Sequence, residues 1–333
     1  MQKLLKLIAV FLIGTSSVSA WYWMEYNTFL ITPVKNQTAQ LFSIPSGSNI
    51  NQVSQALQQQ GIIEYPMYFK LLARWENLSS KIKAGEYVIA EGKFPGELLQ
   101  LFVSGKVKNY QLTIPEGWTF KQILTAVKKS PHLLQTIKTQ DHKKIMQLLG
   151  YPKRHPEGYF YPDTYFFPKG TSDLSFLKRS MKTMERILAK EWQQREKKLI
   201  LKTPYEALIL ASIVEKESGK KSERQKIAGV FTRRLKKRMR LQSDPTIIYG
   251  MGDAYKGNIK RKHIRQKTAY NTYQIDGLPP TPIASPGVHA IHAVMHPKDD
   301  KSLYFVADGS GGHYFSKTLI EHNRAVKKYI LKR

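Results

Sequence analysis

The stretch from Thr203 to Gly219, TPYEALILASIVEKESG, leaves little freedom in what it can form. Thr203 suits a helix N-cap, Pro204 the first helical position, and Glu206 completes a T-x-x-E capping box. Gly219 stands where a left-handed C-cap is expected. Positions 207–214 are apolar or small without a break, which predicts a helix buried on most sides. Two carboxylates, Glu215 and Glu217, then fall in its last turn, against the negative end of the helix dipole. A buried helix that ends in acid at its unfavourable end needs either a compensating partner or a chemical use.

Helical spacing separates the two acids. Steps of three, four and seven back from Glu217 reach Val214, Ile213 and Leu210, whereas the same steps from Glu215 reach Ser212, Ala211 and Leu208. Side chains at these spacings share a face. Glu217 therefore sits on the greasier face, where a carboxyl tends to stay protonated at neutral pH, as a general acid must. Glu215 lies beside smaller residues, where a structural ion pair or hydrogen bond is expected. Simple pairing with Lys216, Lys220 and Lys221 would account for both acids equally well, so this stretch alone leaves both readings open.

The 333 residues allow two or three domains, and the absence of cysteine excludes disulfides, thiolate metal sites and a cysteine nucleophile. A net charge of +28 points to nucleic acid, an anionic membrane surface or an acidic polymer as partner, or to a solvated lysine surface. The N-terminus narrows this choice. An apolar run from Leu4 to Met24, interrupted by Lys6 and by Thr15-Ser16-Ser17, is long enough to cross a bilayer. Trp21, Tyr22, Trp23 and Tyr26 mark its far end as a membrane interface would, and Lys3 and Lys6 favour an inside N-terminus. Val18-Ser19-Ala20 also suits a signal peptidase, but the aromatic extension past Ala20 favours an uncleaved anchor. Either version exports the remainder, which argues against a nucleic-acid partner.

An internal repeat follows. Phe42 to Val53 (FSIPSGSNINQV) matches Leu112 to Ile123 (LTIPEGWTFKQI), each reading as a strand, a Pro-x-Gly turn and an amphipathic helix. After the first copy a second helix is expected over Tyr68 to Trp75, then a returning strand over Lys83 to Ile89. This strand-helix-helix-strand order over about residues 40–107 resembles a LysM module, a small carbohydrate-binding fold; a plain spacer fits the same pattern. Residues 125–150 read as helical and basic, and 174–199 as a charged, solvated helix. Between them, Pro156 to Tyr165 (PEGYFYPDTY) is either core aromatics or the lining of a sugar groove. Ser222 and Gln225 read as a capping box opening a helix to about Lys237. The cluster Arg233 to Arg240 is either a helix end favoured by its dipole or a receiver for carboxylates of a wall polymer or anionic lipid.

Other chemistries are set aside. His289, His292 and His296 are spaced like ligands, but no H-E-x-x-H pattern appears, and they read as surface or capped histidines, with no metal expected. Asp308-Gly309-Ser310-Gly311-Gly312 lacks the ending of a phosphate loop and reads as a hairpin turn. No G-x-S-x-G elbow is present.

Four motifs in order, Ala211 to Glu217 (ASIVEKE), Met239 to Gly250 (MRLQSDPTIIYG), Tyr270-Asn271-Thr272-Tyr273 and Tyr304 to His313 (YFVADGSGGH), resemble the endolytic murein transglycosylase family, the MltG or YceG-like proteins. The resemblance implies an α+β chain: an anchor over 1–30, a LysM-like β/α module over 40–107 and a mixed catalytic domain over 108–333 built on a central buried helix. It implies a lyase that cleaves the MurNAc-GlcNAc β-1,4 bond of nascent strands, leaves 1,6-anhydro-MurNAc ends and terminates elongation without a cofactor. Its essential acid corresponds to Glu217; Ser218 stands where the family usually has threonine. Gln242, Tyr270, Asn271 and Tyr273 are the expected substrate-binding residues. Glycan strands, the inner membrane and peptidoglycan synthases are the implied partners, with the N-terminus cytoplasmic, the catalytic domain periplasmic and no nucleic acid. A non-catalytic wall-binding scaffold is the competing reading.

The anchor is directly testable. Protein purified from membranes is expected to retain its first residues; N-terminal sequencing that begins at Trp21 would refute the anchor and leave export intact.

Overall fold

One helix, α1 (Gln2–Ile31), carries the whole apolar run and continues past it. It is long and apolar enough to cross a membrane. Thirty residues at about 1.5 Å each reach about 45 Å, more than the roughly 30 Å of bilayer hydrocarbon. The C-terminal part of α1 is accordingly part of a folded core: Tyr26 and Phe29 are buried, and the rings of Trp23 and Tyr26 lie 6.1 and 6.4 Å from that of Trp75. The aromatic cluster expected only to mark a membrane interface thus also fastens the helix to the domain that follows it.

The computed structural model describes residues 1–332, which fall into two compact units; the first is Met1–Tyr110 with Phe167–Lys169, and the second is the rest. In the first, β1 (Gln40–Ile44), α2 (Ile50–Gln59), α3 (Pro66–Trp75) and β2 (Gly85–Ile89) follow in the expected order, and α4 (Pro95–Ser104) closes the unit. The strands are antiparallel, with Gln40 opposite Ile89 and Ile44 opposite Gly85. Alternation along β1 sends Phe42 and Ile44 inward, where they join Phe69, Tyr87 and Phe102 in one core. Tyr87 stands edge-on to Phe102 at 4.9 Å, and its buried hydroxyl donates to the carbonyls of Lys83 and Phe102.

The two copies of the repeat have the same local chemistry. Gly47 and Gly117 both take positive φ, +82° and +76°, in the turn after the strand. Asn49 with Gln52, and Thr119 with Gln122, then form reciprocal capping boxes that open α2 and α5 (Phe120–Lys129). The strand of the second copy is β3 (Asn109–Thr113).

The second unit continues with α6 (His142–Leu149), β4 (Thr164–Pro168), α7 (Asp173–Gln193), α8 (Pro204–Glu217), α9 (Arg224–Lys236), α10 (Asp244–Met251), α11 (Arg261–Arg265) and α12 (Val288–Met295). The hairpin β5 (Tyr304–Ala307) and β6 (His313–Ser316) and then α13 (Leu319–Tyr329) complete it. At its centre is α8, buried continuously from Ala207 to Val214 and packed against α7, α9, α10 and α12. The core around it includes Leu208, Leu210, Ile213, Phe231, Ile291 and Val294.

Several expected boundaries differ. The basic helix expected over 125–150 is two helices, because Pro131 cannot continue α5 and Asp141 caps a new start. The helix expected over 174–199 is α7, ending at Gln193. Ser222 does not cap α9; a single 3-10 turn over Lys221–Glu223 leads into it. At α8, Thr203 accepts from the Glu206 amide as expected, but the Glu206 carboxylate takes the Lys202 amide instead of closing the box. Gly219 is not the C-cap: the helix ends at Ser218 in an extended conformation, φ −138°.

Phe102→Ala is expected to cost about 3–5 kcal/mol, the range for deleting a fully buried aromatic ring. Leu41→Ala, on the exposed face of the same sheet, should cost less than about 1 kcal/mol. Urea unfolding followed by circular dichroism compares the two; equal losses would contradict this placement of the core.

Candidate active site

The last turn of α8 presents its two acids to different surroundings. The Glu215 carboxylate, 5% exposed, receives both guanidinium arms of Arg224 at 2.6 and 3.1 Å and the Gly287 amide at 2.9 Å. Arg224, itself 4% exposed, lies 3.5 Å from Glu116, in the Pro-x-Gly turn of the second repeat. A Cβ at position 287 would lie 1.8 Å from the Glu116 carboxylate, so a larger residue there would require that side chain to move. The compensating partner of Glu215 is therefore an arginine from α9 and not the neighbouring lysines. Burial raises the Glu215 carboxyl, while the Gly287 amide and Arg224 oppose that rise.

Glu217 has no such ion pair among the described residues. The Ser243 hydroxyl donates to its Oε1 at 2.5 Å. Burial pushes its carboxyl up to about 7; the Ser243 bond and the charges of His313 and Arg234 pull down, and Asp244 pushes further up. The residue keeps partial exposure, so its carboxyl is desolvated yet reachable.

Ser243 is held by the loop after α11. Its amide donates to Thr272 Oγ1 at 2.9 Å, and the Gln242 amide donates to the Thr272 carbonyl at 3.1 Å. Gln242 takes a left-handed φ of +52°. It is exposed, whereas Ser243 is buried against Glu217.

The expected substrate-binding residues divide accordingly. Asn271 is 1% exposed, and its amide donates to the carbonyls of His263, Ile264 and Gln266 while its oxygen accepts from the Tyr273 amide. It scaffolds the loop. Tyr270 stands 4.9 Å from Tyr249, with its hydroxyl 2.9 Å from Thr281 Oγ1. Tyr273 donates to Asp244 at 2.8 Å, and its hydroxyl is raised by burial and by the charges of Asp244 and Glu217, so it belongs to the Glu217 neighbourhood. Gln242 is exposed beside it.

Residues not singled out as site members complete the surroundings. His313, at the start of β6, places Nδ1 2.8 Å from Glu223. Arg234 donates to the carbonyls of Leu303 and Leu241 at 2.7 and 2.8 Å. Arg233 is likewise tied to backbone carbonyls, so these two arginines are internal fasteners; Lys236, Lys237, Arg238 and Arg240 are the exposed charges of the cluster, and Arg240 also donates to the Tyr273 carbonyl. The expected hairpin turn forms, with Asp308 accepting from the amides of Ser310 and Gly312. In the aromatic segment Phe160 is fully buried on Phe120, and Glu157 is a second buried carboxyl near 7, accepting from the Phe120 amide and the Tyr249 hydroxyl. Beside α10 a cavity of about 640 Å³ is lined by Ile247, Gly250, Met251, His263, Thr268 and Asn271 among others.

The chain matches the YceG-like family over residues 42–328. It is 32% identical over 324 residues to the endolytic murein transglycosylase of Bacillus subtilis, covering 92% of this chain and 89% of that one. It is 28% identical over 357 residues to the endolytic murein transglycosylase of Streptococcus pneumoniae, covering 94% of this chain and 63% of that longer one. The 2.6 Å crystal structure of a yceG-like protein from Listeria monocytogenes superposes with a TM-score of 0.57 at 32% identity, covering 87% of this chain and 99% of that one.

A raised carboxyl has a measurable cost. Folded Glu217 holds its proton up to about 7, whereas an ordinary glutamate releases it near 4.5, so stability falls as pH rises through that interval. Glu217→Gln removes the loss. It is expected to stabilise the protein at pH 8 by about 3–4 kcal/mol, at about 1.4 kcal/mol per pH unit, and to change little at pH 4. Urea unfolding at the two pH values tests this; a gain of the same size at both would refute it.

Proposed function

Because this chain belongs to the YceG-like family, we propose that it is an endolytic murein transglycosylase, with Glu217 as its acid-base residue. The observation that carries the assignment of the residue is the Glu217 carboxyl, desolvated, raised to about 7 and bonded by Ser243. The reaction breaks the MurNAc-GlcNAc β-1,4 bond within a strand. Protonated Glu217 gives its proton to the glycosidic oxygen as the C1–O bond breaks. The MurNAc 6-hydroxyl then bonds to C1 and returns its proton to the Glu217 carboxylate. The products are a 1,6-anhydro-MurNAc end and a free GlcNAc hydroxyl, and no water is consumed. An acid near 7 suits both halves of this exchange at neutral pH. Enzymes that use water usually need two carboxylates, whereas an internal hydroxyl nucleophile lets one group serve twice.

In this reading Ser243 orients the acid, and Gln242, Tyr273 and the exposed loop around them meet the sugars. Asn271 and Thr272 keep that loop in place. The strand-helix-helix-strand unit acts as a LysM-like glycan-engaging module. Lys3 and Lys6 favour a cytoplasmic N-terminus, with α1 spanning the inner membrane and the catalytic unit on the periplasmic side, near the synthases that make its substrate.

Glu217→Gln is expected to lower release of anhydro-muropeptides from glycan strands by about 10²- to 10⁴-fold while leaving strand binding largely intact. Glu215→Gln strands the buried Arg224 and should lower stability by about 3–5 kcal/mol, with a smaller loss of cleavage per folded molecule. Wild-type activity should fall on the alkaline side as Glu217 loses its proton above about 7. Mass analysis of products from folded variants, normalised by circular dichroism, decides between the acids. Normal release by Glu217→Gln together with loss in Glu215→Gln would overturn the assignment.

A further inference from the structure

We propose that Glu191, His292 and His296 form a binding site for a divalent transition metal, Zn²⁺ by the chemistry of the donors, that clasps α7 to α12. His292, in the last turn of α12, and His296, the residue that caps it, have ring centroids 4.5 Å apart. Two histidines alone are a weak site. The third donor comes from the last turn of α7, where the Glu191 carboxylate lies 2.9 Å from His292 Nδ1. One donor atom from each of the three residues lies within 4.8 Å of the others. Zinc–nitrogen bonds of about 2.0–2.1 Å place tetrahedral donors about 3.4 Å apart, a difference that small side-chain rotations close.

The surroundings favour a designed meeting over a chance one. The chain leaving α7 is already fixed to the end of α12, since the Glu196 amide donates to the Met295 carbonyl at 3.1 Å. Glu191 is 8% exposed, so its carboxylate is held in position, while His292 is open to solvent and gives an ion its entry path. A carboxylate–imidazole pair by itself would not call for a second imidazole beside it. Two nitrogens and one oxygen suit zinc among the borderline ions and leave one coordination position for water. None of the three residues belongs to the Glu217 neighbourhood, and the proposal stands apart from the glycan chemistry.

The test uses the full-length chain in detergent, carrying a tag without histidine and stripped with chelator. Zn²⁺ is titrated calorimetrically and Co²⁺ by absorption. The expected result is one saturable equivalent, a metal-dependent rise in melting temperature, and a cobalt spectrum of tetrahedral type. Glu191→Gln, His292→Ala and His296→Ala should each weaken binding by about tenfold or more, since even outer partners of metal ligands typically contribute 10- to 100-fold. His289→Ala, an exposed histidine on the same helix outside the cluster, should leave binding unchanged. The absence of saturable binding by the unaltered protein would overturn the proposal, as would binding that survives both His292→Ala and His296→Ala. If Glu191→Gln fails to fold, the two histidine variants, both at solvent-accessible positions, still decide.

Discussion

The buried ion pair between Glu215 and Arg224 is the constraint on which the centre of the second unit rests. It allows α8, an otherwise apolar helix, to end in acid inside the protein. It also ties together four segments: the end of α8, the first residue of α9, the turn of the second repeat through Glu116, and the start of α12 through the Gly287 amide. A buried pair of this kind is weak evidence for net stability, because desolvating both charges offsets most of their attraction. Its consequence is geometric. With Glu215 compensated, the same helical turn can hold Glu217 without an opposite charge against it, and the field at Glu217 is left to one hydroxyl bond and to more distant charges.

Two carboxyls in this unit rise to about 7, and comparison of them shows why burial alone does not identify a catalytic acid. Glu157 accepts a backbone amide at the first turn of α5 and a tyrosine hydroxyl, so its lone pairs are committed to the scaffold. It is also almost fully covered, at 4% exposure. Glu217 has one hydroxyl partner and remains partly open. The two acids thus differ in what else the carboxyl touches and in how far it is covered, and a raised carboxyl alone does not tell their roles apart.

Much of the architecture was legible because it depends on local chemistry. Periodicity and caps placed α2, α5 and α8, and the repeated Pro-x-Gly turn was visible because left-handed backbone selects glycine at Gly47 and Gly117. Boundaries were less so. Gly219 offered a plausible cap that Ser218 pre-empted by turning extended, and Ser222 offered a box that the 3-10 turn displaced. The contact that links the two helix ends, Arg224 reaching back to Glu215, joins residues on different helices and leaves no local pattern. The basic cluster was similarly ambiguous: Arg233 and Arg234 are spent on carbonyls of distant loops, which charge counting cannot show.

The sequence by itself determined that a buried helix ends in two unlike acids and that Glu217 is the one on the apolar face, because the spacing of side chains on a helix is fixed by its geometry. Only the tertiary structure decided what each acid meets. It gave Glu215 an arginine nine residues away in the chain and Glu217 a serine twenty-six away, and it turned Ser243 inward while leaving Gln242 exposed. It also brought Glu191 to His292 across 101 residues. Those meetings depend on how helices pack against one another, and packing is a property of the whole chain that no single stretch of it encodes.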